Sequence, residues 1–249
     1  MECWDAAVSS LSLALMVLAV AYLLRQTRTP TRYGRYVPAD IRCCSARLGW
    51  LVQEVPSFLL PLMLLLLTEP DTEQPGRTRR GTGRKLLVWT FMLHYFHRGR
   101  PVPLIIVLSA AIFCSINGFL QGHHLLHCAQ FKDTWLTDAR LAAGFLVFVL
   151  GLTINIHSDH ILRSLRKPGE TVYRIPHGGM FEFVSGANFF GEIIEWCGYA
   201  VAVWSLPAFA FFFFTVCSIG PRAYQHHRDY QQRFEDYPRS RKALIPFIL

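Results

Sequence analysis

The chain has 249 residues, 52% of them hydrophobic and only 17% charged, a balance that polytopic membrane proteins reach and soluble domains rarely do. Its formal net charge of +8 would suit nucleic acid, but the basic residues fall between apolar runs rather than on one soluble face. Anionic lipid and cofactor phosphates are therefore the expected partners, and nucleic acid is not.

In chain order, apolar runs approaching the roughly 20 residues of a spanning helix cover Ala6 to Leu24, Leu48 to Thr68, Val102 to Leu120 and Leu141 to Ile156. The first is expected to stay as a helix rather than be removed as a signal, because Glu2 and Asp5 open it and Arg25, Arg28 and Arg32 follow it. The segment Leu86 to Phe96 has 11 residues and falls well short of a span, so it counts as a short third helix. Phe189 to Ile219 is too long for one untilted span, and Pro207 removes a backbone donor near its middle. Two helices joined by a short turn are expected there. The sum is an all-α, polytopic seven-transmembrane helix bundle, a single membrane-embedded domain over residues 1–249.

The basic residues orient this bundle. With the N-terminus outside, the cytosolic segments carry 18 Lys and Arg and the opposite side 7. The fifth connection and the C-terminal tail then face the cytosol. Glu69 to Lys85, rich in Arg, Gly, Thr and Pro, reads as a flexible loop. The seven cysteines show no C-x-x-C pair that would build a zinc or redox centre, and are expected to be reduced or lipid-facing thiols.

Ionisable residues within apolar segments are costly, which singles out Glu54, His94, Glu192 and Glu195. Glu54 follows Gln53 one turn into the second span, between Trp50 and Phe58. Desolvation there disfavours the carboxylate, so a neutral Glu54 either donates to a ligand carbonyl or forms an interhelical hydrogen bond. Glu192 and Glu195, three apart, share a helix face with Asn188 and Trp196 nearby. For Glu195, placement at a helix start is the plainer explanation.

The densest polar block runs from Asn155 to Asn188. Arg163, Arg166, Lys167 and Arg174 supply positive charge, and Gly169, Gly178 and Gly179 let backbone approach a ligand closely. Such a block grips either cofactor phosphates or anionic lipid. It contains neither G-x-G-x-x-G nor a Walker loop, so a Rossmann domain is unsupported. His157, Asp159 and His160 lack a credible third and fourth ligand, and no metal is expected. His123, His124 and His127, beside Cys128, read as surface histidines on the side opposite the cofactor candidates.

The segments WLVQEVPSF, FMLHYFHR, INIHSDHILRSLRKPG, YRIPHGGMFEFVSGANFFGEIIEWCGYA and FEDYPRSRKALIPFIL resemble those of steroid 5-alpha-reductases across almost the whole chain. The resemblance implies a seven-helix, monomeric enzyme of the endoplasmic reticulum membrane, with a cytosolic C-terminus, that encloses NADPH and a 3-oxo-4-ene steroid. It implies that Glu54 and Tyr95 hydrogen-bond the steroid 3-keto oxygen, with Gln53 in support. Donors aimed there stabilise the enolate that develops as the β-carbon is reduced. It further implies cofactor contacts from Tyr33, Asn155, Asp159, Arg166, Arg174, Asn188, Glu192, Arg222, His226 and Tyr230. Trp50 and Trp196 would offer flat apolar surface to the steroid.

One departure falls on the short third helix. The family continues past HYFHR with a further aromatic stretch and an Asn-Arg-Gly-Arg-Pro element, whereas here His97 and Arg98 run directly into Gly99, Arg100 and Pro101. A shortened helix that displaces Tyr95 is expected to lower activity. Two other classes stay open: a related reductase of polyprenols or enoyl thioesters, and a non-catalytic membrane-binding member. Cofactor-dependent product formation separates the three.

Overall fold

The computed structural model describes residues 3–29, 43–68, 85–91, 102–129, 138–165 and 172–249. These are overwhelmingly helical: α1 (Asp5–Arg28), α2 (Ala46–Leu67), nearly two turns over 85–91 (α3), α4 (Leu104–His123), α5 (Ala139–Ser164), α6 (Ala187–Val203) and α7 (Leu206–Arg233). Among the described residues, Asp5–Arg28, Leu104–Cys128, Ala139–Ser164 and Leu206–Arg233 are long and apolar enough to cross a membrane, and Leu51–Leu67 forms a shorter apolar helix. Large apolar side chains on these helices stand open to the surroundings, Val17, Ile105 and Leu146 among them. Water would penalise such surface and lipid does not. The chain is a multi-pass, all-α membrane protein.

Several helices run past the ends that the apolar pattern suggests. Helix α5 continues from the apolar run to Ser164, so Asp159 as well as Asn155 lies on the helix. The Asp159–Arg163 pair, at 3.7 Å and one turn apart, supports the polar end of the helix. Helix α7 likewise extends past Ile219 to Arg233. The expected break near Pro207 is present: Trp204 takes a left-handed φ of 51°, and Pro207 falls in the first turn of α7, where its missing N–H costs nothing. Of the short third helix, residues 85–91 are helical, and the remainder lies outside the described residues.

The chain divides into two compact units. The first gathers residues 1–15, 31–142 and 203–211. In it α2 packs on α4, where a β-carbon at Gly118 would come within 3.1 Å of Ser57 Cα, and Ser57 Oγ donates to Cys114 O at 3.2 Å. Two residues at each helix entry also pair, Cys43 with Pro103 and Cys44 with Val102, as an antiparallel ladder that sets both helices off together. Gln121 Nε2 donates to Asn117 Oδ1 at 3.1 Å and Pro207 O at 3.0 Å.

Two expectations are overturned in this unit. Cys3 and Cys128 form a disulfide with Cα atoms 4.9 Å apart, so not every cysteine is reduced. His123 is buried rather than on the surface: it accepts from Trp4 N at 3.2 Å, and its ring packs between Trp4 and Phe119. A π-helical turn over His124–Cys128 winds the chain so that Cys128 reaches the N-terminal segment.

The second unit gathers residues 16–30, 143–202 and 212–249. Its helices α5 and α6 approach closely because each carries glycines seven residues apart, Gly144 and Gly151 on one and Gly191 and Gly198 on the other. A β-carbon at Gly191 would sit 2.5 Å from Asn155 N. Beside this contact, Trp196 is buried edge-on to Phe148 and Tyr199, at centroid distances of 6.2 and 5.7 Å. The tail then folds back, pairing Lys242 with Val184 in a parallel bridge.

Candidate active site

In the first unit, α2 carries Gln53 and Glu54. Gln53 is 5% exposed, and its Oε1 meets no hydrogen-bond partner among the described residues. A buried acceptor of this kind costs free energy unless a donor meets it. Glu54, half-buried, follows it. Pro56 and Pro61 lie within the same helix, and each removes the donor owed to a carbonyl four residues earlier. Tyr33, Tyr95 and Arg166 lie outside the described residues, and for Trp50 only its place in α2 is described.

The second unit holds the other predicted positions, and brings several together. Asn155 Nδ2 donates to Asn188 O at 3.0 Å across the glycine contact of α5 and α6. Glu192 lies one turn beyond Asn188. Phe189, next to Asn188, stacks on the His226 ring of α7 at 5.8 Å. Arg222, His226 and Tyr230 recur at four-residue intervals and share one face of α7. Arg222 Nη2 donates to Tyr22 OH at 3.0 Å, while its Nε is buried with no partner among the described residues. Tyr230 is buried, with its ring parallel to that of Tyr237 at 5.4 Å. Arg174 is exposed in the extended segment before the Gly178 turn, and Asp159 pairs with Arg163 as described above.

Glu195 is fully buried. It is the ninth residue of α6, well past the first turn, so the helix-start explanation for it fails. Its surroundings follow instead from the glycine contact, since Gly151 lies directly against the Glu195 backbone.

The loop from Val172 to Gly186 is held by groups that sequence reasoning did not single out. Arg241, with no exposed side-chain surface, donates from Nη1 to Pro176 O at 2.8 Å. Its Nη2 lies 3.2 Å from His177 Nδ1 and 3.4 Å from Glu182 Oε2. Gly178 and Gly179 turn the chain through φ of 93° and 54°, angles that a β-carbon resists. That turn aims Gly178 N at Glu182 Oε1, 2.5 Å away. This backbone donor, then the charges of Arg241 and His177, hold the Glu182 carboxyl below the usual carboxylate range. Ser185 Oγ lies 2.6 Å from both His227 Nδ1 and Tyr237 OH. Burial pushes the Tyr237 phenol up, against the opposing pull of Ser185 and Arg241. The available signal was a run of basic residues in an otherwise apolar tail, which does not say which guanidinium turns inward.

The donor set of the second unit suits an anionic dinucleotide. Asn155 and Asn188 offer amides, Arg174 and Arg222 offer guanidinium, and the buried Arg222 Nε has an unused donor among the described residues. Among the described residues no group of three His, Cys, Asp or Glu could hold a metal ion.

Comparison with known proteins bears on both units. A family profile described as 3-oxo-5-alpha-steroid 4-dehydrogenase matches residues 100–249. The chain is 50% identical over 245 residues to a Homo sapiens protein named 3-oxo-5-alpha-steroid 4-dehydrogenase 2, covering 93% of each. It is 51% identical over 232 residues to the Sus scrofa protein of the same name, covering 88% of each. It is also 46% identical over 250 residues to Homo sapiens 3-oxo-5-alpha-steroid 4-dehydrogenase 1, covering 95% of this chain and 94% of the relative.

Proposed function

Because this chain belongs to the 3-oxo-5-alpha-steroid 4-dehydrogenase family, we propose that it reduces the 4,5 double bond of 3-oxo-4-ene steroids such as testosterone or progesterone. The observation that carries this is 50% identity through 93% of the chain to a relative named for that chemistry. NADPH, when bound, supplies the hydride for the β-carbon. Glu54 and Tyr95 donate hydrogen bonds to the 3-keto oxygen, where negative charge develops, and a proton then completes the α-carbon. Gln53 supports the pair from the same turn of α2. Donors in a dry site need no reorganisation as the charge appears, which is why removing one is expected to cost about 10²–10³ in turnover. Trp50 offers flat apolar surface to the steroid, whereas Trp196 is 1% exposed within its aromatic cluster and serves packing.

Cofactor contacts fall to Tyr33, Asn155, Asp159, Arg166, Arg174, Asn188, Glu192, Arg222, His226 and Tyr230. The arginines favour NADPH over NADH because they can pair with the additional 2′-phosphate. Residues 1–249 form one membrane-embedded domain of seven spans, working as a monomer in the endoplasmic reticulum membrane with the tail cytosolic. The 18-to-7 distribution of Lys and Arg supports that orientation. The Cys3–Cys128 disulfide supports it too, since such bonds persist on the oxidising side of the membrane. The shortened segment after His97 lowers turnover.

One experiment tests the reading. The purified chain in lipid is incubated with testosterone and either NADPH or NADH, and products are separated by chromatography. A 5-alpha-reduced product that depends on NADPH is expected, and more of it from a version lengthened after His97 by one or two apolar turns. No reduced steroid from either version would defeat the proposal.

A further inference from the structure

Helix α7 contains Pro221 immediately before Arg222. Proline has no N–H, so Cys217 O loses the donor that the helix would supply from four residues on. At membrane depth a carbonyl so deprived must be met by a neighbouring helix. The neighbour is α1. Gln26, only 2% exposed, donates from Nε2 to Ser218 O at 2.8 Å and reaches towards Cys217 O at 3.5 Å.

The favour is returned. Gln26 O belongs to the last turn of α1, and the residue four places on is Pro30, which again has no N–H to offer. Gln225 Nε2 of α7 donates to that oxygen at 2.9 Å. Each glutamine thus meets backbone carbonyl on the facing helix, Gln26 beside Pro221 and Gln225 at the end of α1. Tyr22, one turn before Gln26 on the same face of α1, extends the contact: its ring stacks on Phe214 at 6.2 Å, and its OH accepts from Arg222.

We propose that Gln26 is a positioning residue for the cofactor. Its side-chain amide, bonded to Ser218 O at 2.8 Å and reaching at 3.5 Å to Cys217 O, the carbonyl that Pro221 leaves without its N–H, fixes the course of α7 through this turn. The face bearing Arg222, His226 and Tyr230 begins one residue later, so the direction in which those groups point follows from how the break is held. This rests on the reading of those three residues as NADPH contacts. An apolar side chain of similar size at position 26 would fill the space without supplying the donor.

The test is a double-mutant cycle with Gln26→Leu and Pro221→Ala, measured on the full chain in lipid. Backbone hydrogen exchange across residues 217–226 is read without cofactor, and NADPH dissociation constants are read separately. Gln26→Leu is expected to raise exchange and weaken NADPH about tenfold. Adding Pro221→Ala restores the helix's own donor to Cys217 O and should recover most of both losses. Additive losses in the double variant would show that Gln26 does not act through the Pro221 break and would overturn the proposal. Faster exchange with unchanged NADPH affinity would leave the break mended but reject the positioning role. If the unsubstituted chain binds no NADPH, the cofactor reading fails and the positioning role falls with it. The exchange data would still decide whether the two positions are coupled.

Discussion

The two units treat their buried polar groups differently. In the second, several such groups are met by backbone, Asn155 by Asn188 O, Gln26 by Ser218 O and Arg241 by Pro176 O, while Arg222 Nε stays an unmet donor among the described residues. In the first, Gln121 is met in the same way by Pro207 O, but Gln53 Oε1 is buried with no partner among the described residues. The contrast lies in the kind of atom left over: a donor, suited to an anion, in the second unit and an acceptor at Gln53 in the first. Binding a large anionic cofactor benefits from a donor already held in place, because little ordering remains to oppose association. Polarising a carbonyl needs donors where charge will appear, so in the proposed mechanism that part falls to Glu54 and Tyr95 rather than to Gln53 Oε1.

The sharpest way to break this contrast is Glu54→Gln. The amide keeps the shape of the side chain and changes the proton it can offer. Turnover should fall by about 10²–10³ while the NADPH dissociation constant stays within about twofold. A matching loss of cofactor affinity would erase the proposed division of labour between the units.

A smaller effect is expected from Cys3→Ser. Opening a loop of sequence separation 125 should cost the first unit about 2–4 kcal/mol, read as a lower thermal midpoint that reductant no longer shifts. NADPH affinity, whose proposed contacts among the described residues lie in the second unit, should be unaffected. An unchanged midpoint would show that the aromatic packing of Trp4 on His123 and Phe119 holds the N-terminal segment without the bond.

The smallest effect concerns acid. Glu182 has its carboxyl held below the ordinary range, so its stabilising contribution is complete above that range and fades as pH falls through the depressed value. The side chain is about half exposed and screened by solvent, so the loss should be well under ~1 kcal/mol. Comparing the acid limb of thermal stability for the unsubstituted chain and Glu182→Gln isolates it. If both lose stability identically below about pH 4, the carboxylate contributes nothing to holding the loop.

Much of the architecture was legible because apolar length reports membrane helices directly, and Pro207 marked the break between α6 and α7. Helix ends were harder. Apolar pattern stops where lipid stops, whereas helices run on beyond it, as α5 does to Ser164. The disulfide was illegible because cysteines 125 positions apart carry no local sign of pairing. Glu195 was misjudged for a related reason: the macrodipole argument needs the helix start, which the sequence around Asn188 leaves several residues uncertain. In the candidate site, residue types were readable through the resemblance, while their partners were not. Arg241 illustrates this, since nothing about a basic tail distinguishes the side chain that turns inward from those that stay in solvent.

The glycine contact between α5 and α6 has a practical corollary. The separation of Asn155 from Asn188 is fixed by volume that is missing, not by a charge or thiol that conditions could alter. Acid, salt and reductant all leave a hydrogen atom the same size, so this spacing should hold across solution conditions that loosen the tail or open the disulfide. Only a change in the gene can retune it, and the smallest available step, a single methyl group at Gly191, already asks for more room than Asn155 N leaves.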